Sequence, residues 1–273
     1  MPGPFGAATA VSRTGDGAYA ADLDASYSVM GKPNGGYLLA IVARAATEHL
    51  AATGVAHPHC LAASASFIRV PECGPASIAV EVHRTGTKIS HVSAHISQEG
   101  RVVVDALLSC GRLASETPVH HQDSDPPALP PVEECEPRVP AGGAPGKGIS
   151  IMDRVELRID PATSGFAKGE VADEAEIRGW FRLADGEPFD AFSLLFASDA
   201  LPPATFQIGS SGWVPTIQLS TYVRALPAAG WLTARVRART VAGGLVDEMC
   251  ELWDVDGRVV AQAVQLAMVR FEL

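Results

Sequence analysis

Histidine is missing from the second half of the chain: all eight lie within the first 121 of 273 residues. That half cannot assemble a Ser-His-Asp or Cys-His arrangement from its own residues, and no G-x-S-x-G stretch offers a nucleophile elbow. A base there is expected to be a carboxylate. Positive charge is scarce as well, with 21 Lys and Arg against 31 Asp and Glu and a formal net charge of -10. Nucleic acid and anionic membranes both call for a basic surface, so neither is expected as a partner. The five cysteines, at 60, 73, 110, 135 and 250, are odd in number and show no C-x-x-C spacing. Neither a disulfide framework nor a zinc knuckle is indicated, and a reduced cytoplasmic setting fits. Long apolar runs are absent too, since the longest, "YLLAIVA", stops at Arg44. With no basic segment leading into an apolar core at the start, neither a signal peptide nor a membrane span is expected.

What is present divides in two. Residues 114–148 hold eight of the twenty prolines together with Gly, Ser and acidic residues, a linker composition. This places an N-terminal domain at 1–113 and a C-terminal domain at 149–273. Inside the linker "GAPGKG" is similar to a phosphate-binding loop, but Ala141 stands where the first glycine belongs and Gly148 where Ser or Thr should follow the lysine. No nucleotide site is expected from it.

Each flanking half reads as one helix followed by four strands. Pro33 and Pro188, Tyr37 and Phe192, and Arg69 and Arg224 keep an offset of 155, while "EGRVV" and "DGRVV" keep 157. Alternating patterns separated by Gly-containing turns such as "QEG" and "DVDG" predict antiparallel hairpins. The expected fold is a tandem α+β repeat, each unit a curved antiparallel sheet around one central helix.

In "AFSLLFASDALPP" a helix from Asp190 places Phe192, Leu195, Phe196 and Asp199 on one face. A carboxylate on an apolar face needs polar partners or a wetted site, and a helix C-terminus is unfavourable for it. Asp199 is therefore the candidate base, the plainer alternative being a helix-end Asp turned to solvent. Gln265 alternates with Val259, Ala261, Ala263, Ala267 and Val269, so it is an amide on an apolar face, either orienting a ligand or satisfying a core backbone group. Thr216 shares a strand side with Gln218 and Ser220 and on its own is an ordinary strand residue. In "KPNGGY" Asn34 is placed to cap a helix, while Gly35 and Gly36 let N–H groups approach a ligand at the positive end of the dipole. Arg235, Arg237 and Arg239 project from one strand side, as a phosphate-binding stripe or, more simply, a solvated face. His91 and His95 share a strand face without companion ligands, and no metal site is expected.

The motifs "PNGGYLLA", "ASDALPP", "VPTIQLSTYVR" and "DGRVVAQAVQLAMVR" resemble the acyl-CoA thioesterase II family, in which two hotdog domains are fused in one chain. The resemblance implies that Asp199, Thr216 and Gln265 activate a water that hydrolyses an acyl-CoA thioester, with no cofactor, metal or covalent intermediate. The helix start at Asn34, Gly35 and Gly36 is then the candidate substrate contact for the thioester oxygen, plain capping explaining Asn34 equally well, and the exposed sheets of hotdog units imply association of copies into a homo-oligomer. The chain departs from the family at Gln218, where Asp is frequent, and at Tyr37, where some members have Gln. Two other readings stay open: a non-catalytic acyl-CoA binder, and a hotdog enoyl-CoA hydratase, although the D-x-x-x-x-H spacing of the latter is absent. The offsets set Arg44 opposite Asp199, Leu61 opposite Thr216 and Leu108 opposite Gln265, so a single active site per chain is expected.

Overall fold

The computed structural model describes residues 3–114, 118–138 and 148–271. Its first half is organised by helix α2 (Gly35–Ala52), whose Leu, Ile, Val and Ala side chains are buried without a break from Gly36 to Ala43. A helix apolar on nearly every side must be wrapped, and strands β2 (Ala18–Leu23), β5 (His59–Phe67), β6 (Gly74–Thr85), β7 (Ile89–Gln98) and β8 (Arg101–Gly111) wrap it. A short helix α1 (Pro4–Ala8), strand β1 (Ser12–Gly15) and the two-residue pair β3 (Ser28–Val29) and β4 (Lys32–Pro33) complete this half.

The second half repeats the plan around helix α3 (Ala191–Ala197). Its strands are β9 (Glu136–Pro137), β10 (Val155–Ile159), β11 (Glu176–Leu183), β12 (Thr216–Val223), β13 (Leu232–Ala242), β14 (Leu245–Trp253) and β15 (Val259–Met268). All but β3 and β4 form one antiparallel sheet of 13 strands, in the order β1-β2-β6-β7-β8-β5-β12-β15-β14-β13-β11-β10-β9. One helix and four strands per half is thus too few: β2 and β11 precede the helices and flank the sheet in corresponding places. The signal for β11 is plain, as Ile177, Gly179, Phe181 and Leu183 alternate inward.

The halves are joined where β5 pairs with β12, Ser64 standing opposite Ser220 with their hydroxyls 2.8 Å apart. Equivalent features fix the register of the repeat. Asn34 and Asp190 are the two helix N-caps, and a bulge interrupts β5 between Cys60 and Ala62 as another interrupts β12 between Thr216 and Gln218. Helices and junction strands are therefore offset by 156. The 155 shared by Pro33 and Pro188, Tyr37 and Phe192, and Arg69 and Arg224 is one residue short of the offset that the caps and bulges set. Ala43, not Arg44, lies opposite Asp199, and Cys60, not Leu61, opposite Thr216. Leu108 and Gln265 remain equivalent, each facing its neighbour strand at the corresponding rung.

The described part of the Pro-rich stretch runs along the second half. Gln122 donates to the Gly257 carbonyl and accepts from Val259 N–H, Trp253 Nε1–H donates to the Ser124 carbonyl and Trp180 Nε1–H to that of Pro130. Of "GAPGKG", residues 143–147 lie outside the described residues. No described helix is long and apolar enough to cross a membrane.

Candidate active site

The helix holding the candidate base is shorter than expected. It begins with a capping box between Asp190 and Ser193, ends at Ala197, and leaves Asp199 just beyond the C-cap Ser198. An acid there meets the negative end of α3, but the positive end of α2 lies against it. Gly36 N–H donates to Asp199 Oδ2 at 2.9 Å, and Asn34 Nδ2 donates to the same oxygen at 3.0 Å and to the Asp199 carbonyl at 2.8 Å. The Gly35 amide faces the carboxylate as well. Burial pushes the Asp199 carboxyl up to about 6, against the lowering effect of these Gly36, Asn34 and Gly35 contacts. Burial costs the charged form more than the donors return, which leaves a carboxylate poised for proton transfer near neutral pH.

The approach of the two helix ends depends on missing side chains. A Cβ on Gly36 would stand 2.6 Å from the Leu195 carbonyl oxygen and 2.9 Å from that of Phe196, and one on Gly35 would meet Asp199 Oδ2 and Phe67 at 2.9 Å. The "GG" pair thus lets the start of α2 grip a carboxylate of the other half. The N–H groups read from the sequence as ligand contacts are turned to Asp199, with Gly36 fully committed to it.

Thr216 does not share a side with Gln218 and Ser220. The bulge between Thr216 and Gln218 reverses the alternation at that point, so that Thr216 lines the cavity while Gln218 is exposed on the outer face. The departure from the family pattern at Gln218 therefore lies away from the cavity. Thr216 Oγ1 donates to Gln265 Oε1 at 2.8 Å, and Gln265 Nε2 donates to Glu248 Oε2 at 2.8 Å. Glu248 went unrecognised in the sequence, although Val246, Glu248 and Cys250 alternate inward along β14 and mark it as an acid on an apolar face. Burial pushes its carboxyl up to about 7.

Asp199, Thr216, Gln265 and Glu248 line one cavity of about 350 Å³, together with Asn34 and Gly35. Apolar walls come from Phe67, Ile151, Met152, Leu201, Phe206 and Trp213. Three cations, Lys32, Arg69 and Arg138, also border it. The arginine stripe of β13 does not: Arg235 pairs with Glu251 at 2.6 Å, Arg237 with Glu176 at 3.4 Å and Arg239 with Asp247 at 3.0 Å. Cys250 borders the cavity, but burial pushes its thiol far up, reinforced by the charges of Asp199, Glu251 and Glu248. A thiol so disfavoured as thiolate is a poor nucleophile.

Residues 23–111 match the acyl-CoA thioesterase N-terminal domain and residues 132–269 the acyl-CoA thioesterase C-terminal domain. A crystal structure from Thermobifida fusca, assigned as a thioesterase II, is similar with a TM-score of 0.88 and 32% identity, over 97% of this chain and 98% of that one. A hotdog-fold protein of unknown function from Alicyclobacillus acidocaldarius gives a TM-score of 0.83 at 23% identity over 100% of both chains. An uncharacterized protein of Mycobacterium tuberculosis is 30% identical over 263 residues, 91% of this chain and 89% of its own length. The architecture is a tandem hotdog fold: the repeat predicts its two α+β units, and the family resemblance implies the hotdog form.

Proposed function

Because the chain belongs to the acyl-CoA thioesterase family, we propose that it hydrolyses acyl-CoA thioesters with a water activated by Asp199 and oriented by Thr216 and Gln265. What carries this reading is a half-buried carboxylate, gripped by the start of α2, in the same cavity as a Thr-Gln hydrogen-bonded pair. Asp199 takes one proton of the water as its oxygen bonds to the thioester carbonyl carbon. The carbon–sulfur bond then breaks, and the departing sulfur takes the proton from Asp199. Negative charge developing on the carbonyl oxygen is stabilised by the positive end of α2, with the Gly35 N–H the least committed donor there. Every step is provided for without a covalent acyl-enzyme.

The apolar walls suit an acyl chain, and Arg69 and Arg138, which pair with no carboxylate among the described residues, suit the phosphates of coenzyme A in a protein otherwise negative, whereas Lys32 already pairs with Glu72. Association of copies belongs to the same reading, supported by Leu107 and Tyr222, which stand exposed on the outer sheet face. Thiol release measured across a panel of acyl-CoAs tests the activity. Turnover that depends on Asp199 is expected, whereas tight acyl-CoA binding with no thiol release would make the protein a binder.

A further inference from the structure

We propose that Glu248 is a positioning residue of this site: by accepting from Gln265 Nε2, its carboxylate fixes which end of the Gln265 amide meets Thr216, and so the direction of the Thr216 hydroxyl. The inference deepens the hydrolytic reading and rests on it.

Glu248 is an expensive residue for its place. It is 2% exposed and stands directly opposite Gln265 in the β14·β15 ladder. Other buried acids are paired with cations: Asp160 with Arg178, Glu251 with Arg235 and Asp254 with Arg258. Among the described residues no ion pair reaches Glu248. Its partners are the Gln265 amide and the backbone N–H groups of Ala204 and Thr205, the latter at 3.4 Å from Oε1. The fold does not require this polar pair. In the first half the equivalent rung is Val92 opposite Leu108, both buried and apolar. A buried acid without a cation, at a position where the duplicate half uses valine, points to a role in the site rather than in folding.

That role follows from hydrogen-bond polarity. An ionised carboxylate only accepts, and a glutamine amide has one donor end and one acceptor end. With Gln265 Nε2 turned to Glu248, Oε1 faces Thr216, and the Thr216 hydroxyl must donate to it. The Thr216 oxygen then keeps its lone pairs for the cavity. A water placed there gives one hydrogen to Asp199 and the other to Thr216, and its own lone pair stays free for the carbonyl carbon. If the amide is reversed, its Nε2–H points at Thr216 and the hydroxyl hydrogen is released toward the water oxygen. That bond occupies the electron pair needed for attack.

The variant E248Q tests the idea because its preferred orientation is predictable. The Ala204 and Thr205 N–H groups claim the new amide's oxygen, so its NH₂ faces Gln265 and forces the reversed direction. kcat is expected to fall roughly 10- to 100-fold with KM within about twofold, in a protein that melts no lower than wild type. E248V, which copies Val92, is expected to lose kcat to a similar degree. The exchange E248Q/Q265E reverses the pair but again presents an acceptor to Thr216, and should recover at least about tenfold in kcat over E248Q. Wild-type kcat in folded E248V or E248Q, or an exchange variant no better than E248Q, overturns the proposal. An active D199N would instead sink the hydrolytic reading itself, whatever Glu248 does.

Discussion

Asn34 and Asp190 occupy the same position in the two halves, each capping its helix with a side-chain oxygen that accepts the N–H three residues on, Tyr37 in one case and Ser193 in the other. Only Asn34 has a donor to spare, and it spends that donor on Asp199. Asp190 has none, and the residue equivalent to Asp199 in its half is Ala43. The duplicated fold therefore has one carboxylate and one grip for it. A tight non-hydrolysable acyl-CoA analogue should titrate to one productive site per chain. R44A should retain turnover, because Arg44 lies over the Phe192 ring, 4.4 Å from its centroid, and bonds Thr9. Two equivalent productive sites per chain would refute the asymmetry.

Replacing the base without changing its shape should separate chemistry from binding. D199N is expected to lower kcat by about 10²- to 10⁴-fold while acyl-CoA affinity, measured by calorimetry, survives. Turnover within a few-fold of wild type would remove Asp199 from the mechanism.

N34D keeps the cap oxygen but sets a second carboxylate beside Asp199. A like charge disfavours ionisation, so the part of the acid limb of the kcat profile that Asp199 contributes near pH 6, below the part Glu248 contributes near 7, should move to higher pH, most clearly in an E248V background. An unmoved limb would mean that another group governs it.

Stability should carry the same signature. Glu248 has its pKa raised by folding, to about 7, so across the interval from its ordinary value to that pH the folded chain holds more protons than the unfolded one. Stability from this group is therefore lost as pH rises through the interval. E248Q should gain stability relative to wild type between about pH 4.5 and 7 and keep that gain at higher pH, by at most about 3 kcal/mol. Denaturant melts at pH 4.5 and pH 8 measure the difference, and a gain independent of pH would contradict the burial of an ionisable group.

Enzyme quenched during turnover should show no acyl adduct by mass spectrometry, and C250A should remain active, since burial holds the Cys250 thiol protonated. A kinetically competent adduct on Thr216 or Cys250 would replace the direct attack by water.

G36A should cost about 1–3 kcal/mol in chemical denaturation, because the added methyl meets backbone oxygens that cannot turn aside. Activity should fall further than stability alone explains, as the start of α2 is pushed from Asp199. A variant with wild-type melting and turnover would show that the close approach is unnecessary.

The tandem plan was legible from motifs that recur between the halves, and the inward placing of Asp199 and Gln265 from periodicity along one segment. Thr216 was read onto the wrong face, since a bulge inserts its extra residue without a local sequence mark. The one-residue error in the repeat has a related origin: flanking prolines and aromatics suggested the alignment, whereas the caps that define it are an Asn and an Asp. Glu248 obeyed a pattern that could have been read, but the acidic string "VDEMCELWD" hides it among acids that pair with arginines, Asp247 with Arg239, Glu251 with Arg235 and Asp254 with Arg258. The grip of Gly36 on Asp199 had no sequence signature at all, because it exists only where the end of α3 meets the start of α2.

Those two helix ends come from opposite sides of the β5–β12 seam, so the base and its holders would belong to different molecules if the halves were separate chains. In the fused chain they are tethered, and their local concentration is a property of the molecule rather than of the solution. The grip on Asp199 therefore survives any dilution of the protein.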